Sequence, residues 1–168
     1  EKKLRTADNP REIWLAFTPI KLNYLNLMIQ KATELGVTRF IPLLSDRTVV
    51  RKINEKRVKK IIVEASEQSN RLNLPILDKL KKLEEFLIEN TDTTIFFGDL
   101  NSDNKKIDIQ SDEPICVLIG PEGDFSIKER EIISKMKNII PININKNILR
   151  SETAAISMIS IISYTLLF

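Results

Sequence analysis

Apolar positions change their spacing along the chain, and each change marks an element. Glu12 to Thr18 (EIWLAFT) is a short apolar, β-favouring run ended by Pro19, which predicts a strand. Leu22, Leu25, Met28, Ile29, Ala32 and Leu35 then recur at helical spacing with Gly36 behind them. Lys21 to Leu35 is therefore expected to be an amphipathic helix closed by a glycine cap. Val37 to Leu44 (VTRFIPLL) reads as a second strand, in which Pro42 points to a bulge or an edge. Residues 54–70 read as a helix with a basic first half and an apolar stripe at Val58, Ile61, Ile62 and Ala65. Lys79 to Glu89 reads as another helix.

The second half alternates more sharply. Thr93 to Phe97 predicts a strand ending at Gly98, and residues 99–113 are polar and read as a loop. Ile115 to Ile119 (ICVLI) is a continuous apolar run, as in a strand covered on both faces. Ser126 with Glu129 three residues later forms a capping box that opens a helix running to about Lys137. Ile139 to Ile144 is the next strand, and Ser151 is placed to cap a final helix that is apolar nearly all round. The alternation predicts one α/β domain over residues 1–168, a mostly parallel sheet with helices on both faces. A last helix with no charge after Glu152 is expected to be fully buried or packed in a subunit interface.

Composition narrows the chemistry. The 168 residues are 42% apolar and 29% charged, which suits a soluble globular domain. The longest mostly apolar stretch, Ala154 to Phe168, is 15 residues interrupted by three serines, too short and too polar to span a bilayer. No signal peptide is visible, so no membrane partner is expected, and a cytoplasmic location is. There is no histidine and only one cysteine, Cys116. That excludes Ser-His-Asp and Cys-His nucleophile systems, a histidine base, disulfides and the usual zinc sites, so no metal is expected. An enzyme with this composition needs a cofactor or substrate to bring the reactive group.

Charge is unevenly placed. The net charge of +3 divides into +9 over residues 1–82 and −6 over residues 83–168. Arg47, Arg51, Lys52, Lys56, Arg57, Lys59 and Lys60 are opposed only by Asp46 and Glu55. Such a run is either a solvated helix face or a surface for nucleic-acid phosphates.

Two motifs carry candidate chemistry. In LIGPEGDFS, Leu118 to Ser126, a buried strand runs into a Gly-Pro-Glu-Gly turn and then a capped helix. Gly120 and Gly123 allow positive φ and close approach of a ligand to the backbone, and Pro121 stiffens the turn. Such a turn can be purely structural, but it would lie at the carboxyl end of a strand, where open α/β sheets bind ligands. It lacks the spacing of dinucleotide and phosphate-binding loops. In ININKNILRSETAA, Ile142 to Ala155, a second strand end leads through a polar loop to a helix start. Arg150 precedes the cap and Glu152 falls in the first turn, which can be capping alone or part of a site. Two such loops in consecutive units would open at the same sheet edge.

These two motifs, with IQKATELGV (Ile29 to Val37) and EASEQSNR (Glu64 to Arg71), resemble the RsmE family of ribosomal RNA methyltransferases in the SPOUT superfamily. The resemblance covers nearly the whole chain from about Glu12. It implies methylation of N3 of a specific uridine in small-subunit (16S) ribosomal RNA, with S-adenosylmethionine as cofactor, and so a role in ribosome biogenesis. It also implies a C-terminal trefoil knot, a homodimer with the last helix in the interface, and ribosomal RNA or the assembled small subunit as partner. Phe97, Gly98, Ile119, Gly120, Pro121, Gly123, Ile144, Asn145, Ile148, Leu149 and Thr153 would hold the cofactor. Arg150 would stabilise charge on the uracil oxygens, with Glu122 as the base or base-orienting group. Arg71 would hold the RNA backbone or target base, its structural alternative being a helix C-terminal charge. Arg47, Arg51, Lys52, Arg57 and Lys60 would grip flanking phosphates.

The chain departs from the family's pattern at Asp124, where a glycine is usual, and at Ile144-Asn145, where Leu-Gly is usual. Asn145 is expected to keep the loop in a left-handed conformation, and Asp124 to place a charge near the cofactor. The family's N-terminal PUA-like RNA-binding barrel has no counterpart here, so Glu1 is expected to follow a removed or uncovered domain. A SPOUT enzyme acting on a ribose 2′-hydroxyl or another base, a non-catalytic RNA-binding module, and a nucleotide-binding α/β protein are the alternatives.

Overall fold

The computed structural model describes residues 11–109 and 112–167. Its elements follow in the order β1 (Ile13–Phe17), α1 (Leu22–Glu34), β2 (Arg39–Leu44), α2 (Glu55–Gln68), β3 (Ile76–Leu77), β4 (Lys81–Lys82) and α3 (Leu83–Glu89). The second half adds β5 (Thr94–Gly98), β6 (Ile115–Ile119), α4 (Ile127–Lys135), β7 (Ile139–Ile142) and α5 (Ser151–Thr165). The strands make one sheet in the order β3-β2-β1-β6-β5-β7, with β4 also on β2, and every pairing is parallel.

Side chains alternate across each strand, and the two faces therefore build two cores. Ile13, Leu15 and Phe17 of β1 and Ile115, Val117 and Ile119 of β6 pack with α1, α2 and α5. Trp14 and Ala16, with Cys116 and Leu118, face the other way against α3 and α4. Both faces are covered, which is why β1 and β6 carry no polar alternation: all five residues of each are buried. Burial in the second core pushes the Cys116 thiol up to about 12, so it stays neutral and is no nucleophile.

Local chemistry sets the helix ends. Gly36, at φ +104°, follows α1 and takes the left-handed conformation a helix exit favours. Asn54 caps α2 by accepting from the Arg57 N–H at 3.0 Å. Ser126 and Glu129 form the expected capping box on α4.

Three expectations need correcting. The helix read over Lys79 to Glu89 is the short strand β4 followed by α3, because Leu43 and Leu44 capture Lys81 and Lys82 in the sheet. Pro42, expected at a bulge or an edge, pairs with Phe17 on one side and on the other falls in the gap between the registers of β3 (Arg39, Phe40) and β4 (Leu43, Leu44). The last strand stops at Ile142 rather than Ile144, where the chain turns into the polar loop. Ser151 is the first residue of α5 and not its cap; Arg150 is the cap residue, and the Ser151 hydroxyl donates instead to the Gly120 carbonyl at 3.3 Å.

Candidate active site

Three neighbouring strands, β6, β5 and β7, end at the same edge of the sheet, and the loops that leave them enclose a cavity of about 220 Å³. Its floor is aliphatic, from Ile119, Ile144, Leu149 and Met158, and Gly98, Gly120 and Pro121 bring backbone to its wall. The loop after β5 is stitched to the end of β7. Asp99 N–H donates to the Ile142 carbonyl at 2.9 Å, Asn143 N–H to the Asn104 carbonyl at 2.8 Å, and the Asn143 amide to the Leu100 carbonyl at 3.0 Å.

Glycine matters here through close approach, not through positive φ. Neither Gly120 nor Gly123 has a left-handed backbone; that conformation falls on Asp124, at φ 64°. A Cβ at Gly120 would lie 2.9 Å from the Phe125 ring, and one at Gly98 3.1 Å from Met158 Sδ, so both glycines let side chains pack hard under the cavity. Nothing lies within 4 Å of a Cβ at Gly123. Asp124 tolerates its strained backbone because its carboxylate accepts from the Phe125 N–H at 2.7 Å and from Arg130 at 2.8 and 3.0 Å. Arg130 also donates to Asp99 at 2.7 Å and lies 5.5 Å over the Phe97 ring, joining the β5 and β6 loops through one guanidinium. The Asp124 charge is therefore paired rather than free. Asn145 is likewise not left-handed; its N–H donates to Asn143 Oδ1 at 3.2 Å and its own Oδ1 accepts from Asn147 N–H at 2.9 Å, a ladder of asparagine turns.

The β2–α2 loop docks on the same turn from the other side. Glu129, only 2% exposed, accepts from the Asp46 N–H at 2.8 Å and the Ser126 N–H at 2.9 Å. Ser126 Oγ donates to Asp46 at 2.7 Å, and Arg47 donates to the Gly123 carbonyl at 2.8 Å. A second, smaller cavity of about 130 Å³ opens where this loop meets the turn, and the two cavities share Pro121 and Glu122.

Residues 7–163 match the model of the RNA methyltransferase domain family. The chain is 34% identical to the ribosomal RNA small subunit methyltransferase E of Rickettsia conorii, over 95% of this chain and 67% of that protein. The chain belongs to the ribosomal RNA small subunit methyltransferase E family. Among solved structures, the family's Neisseria gonorrhoeae enzyme bound to S-adenosyl methionine superposes with a TM-score of 0.86 at 28% identity, covering 96% of this chain and 70% of that one. A methyltransferase from Legionella pneumophila in complex with SAM gives a TM-score of 0.81 at 29% identity, covering 93% and 67%. The chain thus spans about two thirds of the length of these relatives.

Of the cofactor residues the family resemblance implies, Phe97, Gly98, Ile119, Gly120, Pro121, Ile144, Asn145, Ile148 and Leu149 line the first cavity. Gly123 lines the second instead, and Thr153 is exposed on α5 away from both. Glu122 borders both cavities. Arg150 lies outside the first cavity, its guanidinium 5.0 Å over the Tyr24 ring of α1. A hydrogen bond to Tyr24, the Tyr24 charge interaction, and then Glu152 and Glu122 raise its pKa above the usual arginine value, so it remains a cation. Arg71 points inward: it donates to the Thr33 carbonyl at 2.7 Å and the Val37 carbonyl at 2.6 Å, clasping the end of α1, and burial lowers its pKa. Through Nη1 it thus serves the end of α1 rather than the end of its own helix, α2. Lys52 and Arg57 are exposed, Lys60 is exposed beside Glu64 at 3.7 Å, and Arg51 leans to the Ser45 carbonyl at 3.5 Å.

Sequence reasoning missed Asp99, Arg130, Tyr24 and Met158. Asp99 had a signal, a carboxylate directly after the glycine that ends a buried strand. Arg130 and Met158 sit on helices whose pattern announces only packing.

Proposed function

We propose that this chain methylates N3 of a specific uridine in small-subunit ribosomal RNA, using S-adenosylmethionine. The observation that carries the reading is the cavity built by three loops at one sheet edge, in a chain of this family. The donor set fits the cofactor. Aliphatic Ile119, Ile144 and Leu149 suit a flat adenine, backbone at Gly98 and Gly120 can read its edge, and the acidic Glu122 suits a ligand carrying a sulfonium and an ammonium. When bound, the cofactor supplies an electrophilic methyl group, which removes the need for a nucleophilic side chain.

The protein's own task is to hold the base in line and to manage its N3 proton and the negative charge left on it. Arg150, a permanent cation at the α5 cap, stabilises charge on the uracil oxygens. Glu122, at the junction of the two cavities, accepts or orients the N3 proton. Arg47, Arg51, Lys52, Arg57 and Lys60 hold flanking phosphates.

A trefoil knot and a homodimer belong to the same reading. The knot is supported by the routing: β7 lies beyond β5, yet α5 returns to pack on β6 and α1, past a loop after β5 that is bonded to β7. The dimer is supported by α5, where Ile161 and Tyr164, with Leu167 just past the helix end, remain 41%, 67% and 75% exposed.

Unmodified small subunits incubated with the chain and methyl-labelled S-adenosylmethionine are expected to release labelled 3-methyluridine on digestion. Label in a 2′-O-methylnucleoside, or none, overturns the assignment.

A further inference from the structure

Resting on the reading above, we propose that the second cavity is the pocket for the target pyrimidine, and that Lys21 joins Arg150 in meeting its oxygens. Position is the first argument. The cavity shares Pro121 and Glu122 with the first cavity, so a ring in one and a methyl donor in the other would be direct neighbours at that turn. In-line transfer requires neighbours of that kind.

Shape is the second argument. Pro19 and Ile20 at the end of β1, with Val49 and Val50 of the β2–α2 loop, give the cavity aliphatic sides suited to a flat ring. Val49 is 90% exposed, but the loop presenting it is held. Thr48 is buried and accepts from the Ser45 N–H at 2.8 Å, while Arg47 is bonded to Gly123. The valine is therefore an apolar surface kept in place on the open side of a pocket.

Charge is the third. Arg47 donates through Nη1 to the Gly123 carbonyl and so holds the turn. Lys21, whose ammonium makes no ion pair or side-chain hydrogen bond among the described residues, lines the cavity together with Glu122. Uracil N3 lies between two carbonyl oxygens, and loss of its proton spreads negative charge onto both. A free ammonium at that edge stabilises the developing anion, and a carboxylate beside it is placed for the proton.

The full chain, methyl-labelled S-adenosylmethionine and unmodified small subunits test this. Val49→Trp, which fills the mouth from an exposed position, is expected to lower kcat/KM for the subunit by about tenfold or more, with cofactor affinity by calorimetry within about twofold. Lys21→Met is expected to lower kcat with KM for the subunit little changed, and Lys137→Ala, an exposed lysine elsewhere, to change neither. Wild-type turnover in Val49→Trp overturns the pocket. So does loss of cofactor affinity in that variant, which would assign the space to the cofactor. A raised KM with intact kcat in Lys21→Met overturns the base contact in favour of a phosphate contact. A wild-type chain that binds no S-adenosylmethionine, or transfers no methyl group, fails the functional reading itself.

Discussion

At Gly120 a single hydrogen atom decides the packing. Phe125, whose ring would be struck by any Cβ there, is only 1% exposed and lies 5.6 Å from the Phe97 ring, so it cannot swing aside. Gly120→Ala is expected to cost about 1–3 kcal/mol, as overpacking of a filled core does. Gly123→Ala, with open space around it, is expected to leave the midpoint of thermal unfolding unchanged. Equal losses in the two variants would show that turn conformation, not contact, is what glycine provides. Sequence reading located this turn but misread its physics. It expected positive φ at the glycines, whereas the strained position is Asp124, made tolerable by Arg130 six residues on. A bond of that kind leaves no mark in periodicity. The opposite holds for Ser126 and Glu129: a cap is written locally, and so it was legible.

Elements were legible where burial is complete or amphipathicity strong. β1, β6, α1 and α2 fall within one or two residues of their expected ends. The two-residue strands β3 and β4 were not legible, because they exist only through pairing with β2 and carry no pattern of their own. α5 was read as apolar all round, and the structure divides it: Ala155, Met158, Ile159 and Ile162 are buried while Ile161 is not. The exposed face is where the proposed dimer would close. Ile161→Asp is expected to convert a dimer to a monomer in sedimentation velocity while leaving the circular dichroism of the fold intact. A wild-type chain that sediments as a monomer at micromolar concentration would remove the dimer.

Over the whole molecule the charge asymmetry has an address. The basic half contains the β2–α2 loop and α2, and Arg47 fastens the start of that run to the turn that the two cavities share. Phosphate contacts on Arg51, Lys52, Arg57 and Lys60 would run outward from the site, and each lost contact should flatten the salt response. Arg57→Ala with Lys60→Ala is expected to reduce the slope of log affinity against log salt by about 1–2 for the small subunit. An unchanged slope would place the RNA elsewhere.

The sheet order also says something about how such a chain comes into being. β1 needs β6 on one side, but β6 begins about a hundred residues later, at Ile115. A nascent chain emerging amino end first therefore carries β1 with one row of amides and carbonyls unmet until most of the sequence has been translated. β5 waits in the same way for two later strands. The loops that shape the first cavity leave β5, β6 and β7, and both cavities take Pro121 and Glu122 from the turn after β6, so neither is complete until late in the sequence. A ribosome stalled before residue 115 would hold an aggregation-prone half sheet with both cavities unformed.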